Sequence, residues 1–310
     1  MEANTLKKEI IALKKEKQVI VLAHYYQTAE IKEIADYIGD SLFLAQQAKK
    51  LKCDKIVMAG VYFMAEMVKI LNPTAKVMIP DPLAGCSLAD SICAEDLRKF
   101  RSKNPDFKII SYINCSAEVK AESDIICTSS NAVKIAKLFS PNEKILFVPD
   151  ANLGQYVNNV AEMDMWLWNG TCIVHDAFSM EKLMKILSDF PGTPLIAHPE
   201  APPYILRISS FIGSTSALLD YIKTAEESSF IIATEAGILD EMRRACPNKT
   251  FIPAPIRENN TCACSECAYM KLITLPKILN CLQNETHQVD VPDELIRKAR
   301  IPLNLMLQHS

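Results

Sequence analysis

The sequence is short of glycine, with 8 among 310 residues, where average usage of roughly 7% would supply about 22. Its two nearest glycines, Gly154 and Gly170, stand 16 positions apart. That spacing excludes the G-x-G-x-x-G turn and the Walker A loop, whose closely set glycines bring backbone N–H groups against phosphate. Long apolar runs are also missing. The longest spans 56–65, well short of the roughly 20 residues a membrane helix needs. The segment MEANTLKKEIIALKKEK carries charge where a secretory signal requires an apolar stretch. An excess of either charge is absent too. The net value is -3, with Lys and Arg dispersed among acids, so no field draws the chain to a phosphate backbone. No nucleic acid and no membrane are expected as partners, and the expected location is cytoplasmic.

Cysteine, in contrast, is plentiful at 11 residues. A reducing compartment keeps thiols free, so metal ligands or small buried apolar groups are expected rather than disulfides. With 49% hydrophobic and 23% charged residues, the chain suits one large core or a few modest ones.

Short β-branched runs alternate with segments of helical period. A first set comprises QVIVLAH (18–24), KIVMAG (55–60) and KVMIP (76–80), with Ile31, Ile34, Ala35 and Ile38 spaced for one helix face between them. A second comprises KIISYIN (108–114), DIICTSS (124–130) and KILFVPD (144–150). The third comprises GTCIVHD (170–176), PLIAHPE (194–200), SFIGSTS (210–216), FIIATEAG (230–237) and TFIPAP (250–255). Two helical segments, 268–282 and 292–308, close the chain. Alternation of this kind implies parallel sheets covered on both faces, and so many strands rarely share one sheet. The expected fold is α/β, with three pseudo-equivalent parallel-sheet, three-layer sandwich domains of roughly 85 residues each. Their expected limits are 1–85, joined by the C-terminal helices 268–310, then 86–171 and 172–267.

Ligands of open parallel sheets bind beyond the carboxyl ends of the strands, and the polar residues gather there. In order they are His24 and Tyr26; Tyr112 and Asn114; Thr128 and Ser129; His175; His198 and Glu200; Ser214 and Thr215; Thr234 and Glu235. GDS (39–41), CTSS (127–130) and GSTS (213–216) set hydroxyls where a helix begins. Such residues either cap the helix or, with its free N–H groups, hold an anion. Three of them suit a substrate with several anionic groups.

Cys53, Cys115, Cys127, Cys246 and Cys281 fall within apolar patterns and are expected in the core, while Cys93 lies near a helix start. Cys86, Cys172 and the CACSEC group (Cys262, Cys264, Cys267) follow the strand sets, with 86 residues from Cys86 to Cys172 and 95 from Cys172 to Cys267. One cysteine per repeat would set three thiolates around a central axis. Zinc would need a fourth ligand, for which CACSEC with His287 is an irregular source. A 4Fe–4S cluster on three cysteines leaves one iron open as a Lewis acid.

Together AHYYQ, IADYIGDS, SYINCSAEVKAESDIICTSSNAVKI, PDANLGQYV, AHPEAPP, FIGSTSAL, ATEAGIL and the last cysteine before YMK make the chain closely resemble the quinolinate synthase family over nearly its whole length. The resemblance implies three α/β domains around a 4Fe–4S cluster held by Cys86, Cys172 and Cys267. It implies condensation of iminoaspartate with dihydroxyacetone phosphate to quinolinate in NAD biosynthesis, by a non-redox condensing and dehydrating transferase. Glu200 is implied as acid/base, its pKa expected to be raised by a dry pocket. Tyr26 and Tyr112 are implied as proton-shuttling tyrosines, and His24 and His198 as carboxylate binders. Ser41, Asn114, Ser129, Ser214 and Thr215 complete the implied substrate cradle. L-aspartate oxidase is a candidate partner as supplier of the imine. Two alternatives remain: a radical enzyme of the diphthamide-synthesis type, similar in domains and cysteines, and a zinc-stabilised binding module built on CACSEC.

Overall fold

The computed structural model describes residues 2–257 and 265–310. Cys262 and Cys264 lie outside the described residues. Among the described residues, twelve strands build three parallel sheets of four strands each, and all three repeat one strand order. In the first sheet β1 (Val19–His24), β2 (Tyr37–Gly39), β3 (Lys55–Ala59) and β4 (Lys76–Met78) run in the order β2-β1-β3-β4. The second takes β5 (Lys108–Tyr112), β6 (Ile125–Cys127), β7 (Ile145–Val148) and β8 (Trp166–Leu167) in the order β6-β5-β7-β8. The third takes β9 (Leu195–Ala197), β10 (Phe211–Ile212), β11 (Ser229–Ala233) and β12 (Thr250–Pro253) in the order β10-β9-β11-β12. The expected α/β class and three-sheet repeat are what the molecule has. In each sheet the order reverses between the first and third strands, the point where a parallel sheet opens a crevice at its carboxyl edge.

Two local expectations are corrected. Residues 170–176 are not a strand: Ile173–Asp176 is a short helix, with Asp176 N donating to Cys172 O at 2.8 Å. Here the turn that places Cys172 outweighs the strand preference of Ile173 and Val174. Helical spacing through Ile38 also fails, because the helix Ala29–Lys32 ends early and Tyr37–Gly39 is β2. Asp36 causes the switch. Its N–H donates to Val21 O at 2.8 Å and its carboxylate accepts from Val21 N at 2.7 Å, which pins the chain beside β1. The edge strand β8 and the helix Glu2–Lys17 are features the sequence pattern did not announce.

Ser and Asp side chains start several of the helices that cover the sheets. Asp40, Ser116, Asp150, Ser179 and Ser214 each accept a backbone N–H three residues on, satisfying a donor that the helix leaves free. One continuous core joins the first sheet, much of the second and the closing helices Leu275–Asn284 and Asp293–Gln308. The third sheet has its own cores, Ile196, Phe230 and Met242 among one set and Phe178, Leu183 and Ile231 among the other. Tyr25 and Tyr26 of the loop after β1 pack against the former, which is how the first and third units meet. Gly237 permits that approach, since a Cβ there would stand 2.5 Å from Tyr26 O. Among the described residues no helix is long and apolar enough to cross a membrane.

Candidate active site

The carboxyl ends of the three sheets face one cavity, and equivalent strands deliver residues of equivalent character. After the first strand of each sheet come His24, then Tyr112 and Asn114, then His198 and Glu200, all lining the cavity. After the second come Ser41, Ser129 and Thr215, also in its lining. Asp40 gathers these helix starts. It caps its own helix through Phe43 N at 2.9 Å, while Oδ2 accepts the hydroxyls of Ser130 at 3.0 Å and Ser216 at 2.6 Å. Ser214 stands outside the lining, its hydroxyl accepting from Ala217 N at 3.3 Å. Asn114 Oδ1, in contrast, is buried without a hydrogen-bond partner, the condition of a group left for a ligand.

Glu200 is the centre of the polar network. Tyr112 donates to its Oε1 at 2.5 Å, and His175 Nδ1 stands 3.0 Å from Oε2 without the alignment of a hydrogen bond. His175 Nε2 meets Thr234 Oγ1 at 3.1 Å, and the Tyr26 hydroxyl lies 3.0 Å from Thr234 Oγ1 and 3.1 Å from Thr215 Oγ1. Side chains from all three sheets therefore form one chain from Tyr26 through Thr234, His175 and Glu200 to Tyr112. Asn152 Nδ2 holds the main chain of Glu200 at its carbonyl, 3.1 Å away.

Electrostatics divides these groups. Burial opposes charge on Glu200, while His175, His198 in its acid form and the Tyr112 hydroxyl draw the carboxyl down to about 2. The expected upward shift is thus reversed by its neighbours, and Glu200 is a carboxylate at neutral pH. Burial, followed by the charge of Glu200, pushes Tyr112 and Tyr26 well above the usual phenol range, so both keep their protons. Burial lowers His24 to about 4 and His198 to about 3, leaving neutral imidazoles. An ionised base beside protonated phenols is an arrangement that can move protons both ways.

The cysteines that follow the fourth strands also line the cavity: Cys86 after β4, Cys172 after β8 and Cys267 after β12. Each begins a helical turn, its carbonyl accepting the N–H four residues on: Asp90 at 3.0 Å, Asp176 at 2.8 Å and Lys271 at 3.1 Å. The backbone N–H groups two and three positions later lie near each sulfur and favour its thiolate, though neither closes a capping hydrogen bond to Cys172 or Cys267. Burial nevertheless pushes Cys86 up to about 12 and raises Cys172 and Cys267, and Cys86 feels the charges of Glu200 and Cys267. Cys172, His175 and Glu200 bring possible ligand atoms within 4.8 Å of one another. Of the other cysteines, Cys115, Cys127 and Cys281 are buried as expected, Cys53 and Cys246 are half-buried, and Cys93 is exposed. His287 lies elsewhere, in a surface cleft with Asp81 and Lys277.

Sequence reasoning noted His175, Thr234 and Glu235 only as polar strand ends. The signal for His175 was its place three residues after Cys172, a separation that shares one side only if the segment is helical.

A model of the family described as quinolinate synthetase A protein matches residues 8–308. A protein of Microcystis aeruginosa called quinolinate synthase is 51% identical over 298 residues, which is 96% of this chain and 93% of the relative. Quinolinate synthases of Thermosynechococcus vestitus and Synechocystis are 50% and 49% identical, covering 96% and 97% of this chain and 93% and 94% of their own lengths. The chain belongs to the quinolinate synthase family.

Proposed function

We propose that this enzyme condenses iminoaspartate with dihydroxyacetone phosphate, releasing quinolinate, phosphate and two waters. The observation that carries this reading is the meeting, in one cavity, of one cysteine after each sheet's fourth strand with a carboxylate and two protonated tyrosines. The cysteine sulfurs fit a 4Fe–4S cluster. They are soft donors, each faces backbone N–H groups that favour a thiolate, and burial disfavours the free thiolate, a cost that bonds to a metal offset. Cys86, Cys172 and Cys267 would hold it, and when bound it supplies a Lewis-acidic iron without redox turnover.

The chain's own residues supply the rest. Ser41, Ser129 and Thr215, with Asn114, offer hydroxyl and amide groups to the phosphate and carboxylates, and neutral His24 and His198 hydrogen-bond carboxylate oxygens. Glu200 accepts a proton from carbon or nitrogen. Tyr112 and Tyr26 return protons to leaving oxygens, and Thr234 and His175 connect them. A labile imine requires that the site exclude water during the reaction. Supply of that imine by an L-aspartate oxidase and a cytoplasmic, reducing location belong to the same proposal. So do the domain limits 1–85 with 268–310, 86–171 and 172–267.

The test is anaerobic reconstitution followed by assay of iron, sulfide, phosphate release and quinolinate. Iron and sulfide near four each with quinolinate formation is the expected result (roughly, as a 4Fe–4S site requires). Cleavage of S-adenosylmethionine without quinolinate would favour the radical alternative. Colourless protein with stoichiometric zinc would favour the zinc module.

A further inference from the structure

Glu235 follows β11 and is fully buried, yet no step above employs it. Both of its oxygens are committed to backbone groups: Oε1 accepts from Cys267 N at 3.0 Å and Oε2 from Gly237 N at 2.7 Å. Lys271, one turn beyond Cys267, brings Nζ to 3.4 Å from Oε1 and donates to Tyr26 O at 2.7 Å. A second link, Ala236 N to Ser265 O at 3.0 Å, runs between the same two segments. One ion pair thus joins the main chain of Cys267, the loop after β11 and the loop that carries Tyr26.

The charges are informative as well as the bonds. A fully buried carboxylate is costly, and here it stands beside a sulfur that would itself be negative when ligating. A carboxamide would cost less to bury but has a single acceptor oxygen, so it could serve only one of the two N–H groups. Lys271 offsets the charge from a position only 21% exposed.

We infer that the Glu235–Lys271 pair is a positioning device for Cys267 and Tyr26, and that its two charges set the electrostatic environment of a cluster bound at Cys267. The inference rests on the reading of Cys267 as a cluster ligand. Hydrogen bonds and charges around the ligating sulfurs are what tune such a centre. Removing the negative partner should make the cluster easier to reduce, and removing the positive partner should make it harder.

The experiment uses the full chain, reconstituted anaerobically, as wild type, Glu235→Gln, Lys271→Met and Glu235→Ala. Iron and sulfide content is measured first, then the midpoint potential by EPR-monitored titration, then the rate of iron loss to a chelator. Glu235→Gln keeps an acceptor for Cys267 N, so full loading with a more positive potential is expected. Lys271→Met, altering a partly exposed residue, should load fully with a more negative potential. Glu235→Ala should lose iron several-fold faster than wild type. Potentials that stay put, or that move in the same direction in both charge variants while wild type holds its cluster, would overturn the inference. Wild-type protein that takes up no iron and sulfide would instead remove the reading beneath it, and the inference with it.

Discussion

Tyr112 and Glu200, 88 residues apart in the chain and on different sheets, meet at 2.5 Å with the phenol donating to Oε1. That contact joins the second unit to the third and sets a protonated acid against an ionised base. Tyr112→Phe should lower kcat by about 10²–10⁴, the range of one acid–base group, while iron content and far-UV dichroism stay unchanged. It should also reduce stability by about 2 kcal/mol, as expected for a hydrogen bond to a charged group. Glu200→Gln should retain the cluster and lose quinolinate formation. Full activity in either variant would remove that residue from the mechanism.

The cysteine assignments predict a selective loss. Serine in place of Cys86, Cys172 or Cys267 should abolish loading with iron and sulfide, because each faces the cavity from a separate helical turn. Cys264→Ser should load like wild type. Equal loss in Cys264→Ser and Cys267→Ser, measured by iron analysis after reconstitution, would reverse the choice of ligand.

Glu66 makes stability depend on pH. Burial pushes its carboxyl from 4.5 up to about 7, against the pull of Lys120 and of the Ala117 N–H that it accepts at 3.0 Å. The folded state therefore holds a proton that the unfolded chain releases between those values. Stability should fall as pH rises through that window, by about 3 kcal/mol in all, and this contribution should not change further at higher pH. Glu66→Gln keeps the acceptor and removes the titration. Urea unfolding of both proteins should show wild type losing ground to the variant from pH 5 to pH 7.5 (about the window set by linkage), and parallel curves would refute the assignment.

Gly237 tests the seam between the first and third units. A methyl group there would stand 2.5 Å from Tyr26 O and 2.8 Å from Glu235 Oε2. Gly237→Ala should destabilise the protein by about 1–3 kcal/mol, as overpacking does, and lower activity by displacing the Tyr26 loop. A melting temperature and kcat equal to wild type would show that the seam yields freely.

Much of the site was legible in the sequence. Tyr26, Asn114, Ser129, His198 and Glu200 follow strands whose periodicity is plain, and the cysteine spacing echoes the repeat. Other features had no local signal. His175 looked like the end of a strand because Ile173 and Val174 favour strands, and only its contacts with Glu200 and Thr234 placed it in the polar network. Asp40 read as a cap, which it is, yet it also binds hydroxyls 90 and 176 residues away. The direction of the shift at Glu200 depended on imidazoles that burial in three dimensions brought near it.

The sequence by itself determined the parallel α/β class, the three strand sets and the polar residues at their ends, because hydrophobic period and capping chemistry act over a few neighbouring residues. Only the tertiary structure decided how those ends combine. Tyr26 meets Thr215 across 189 residues, and Glu235 holds Cys267 across 32. Such pairings are set by the packing of whole sheets against one another. No local pattern encodes which carboxylate will face which imidazole, or that the loops after the fourth strands converge on one cavity.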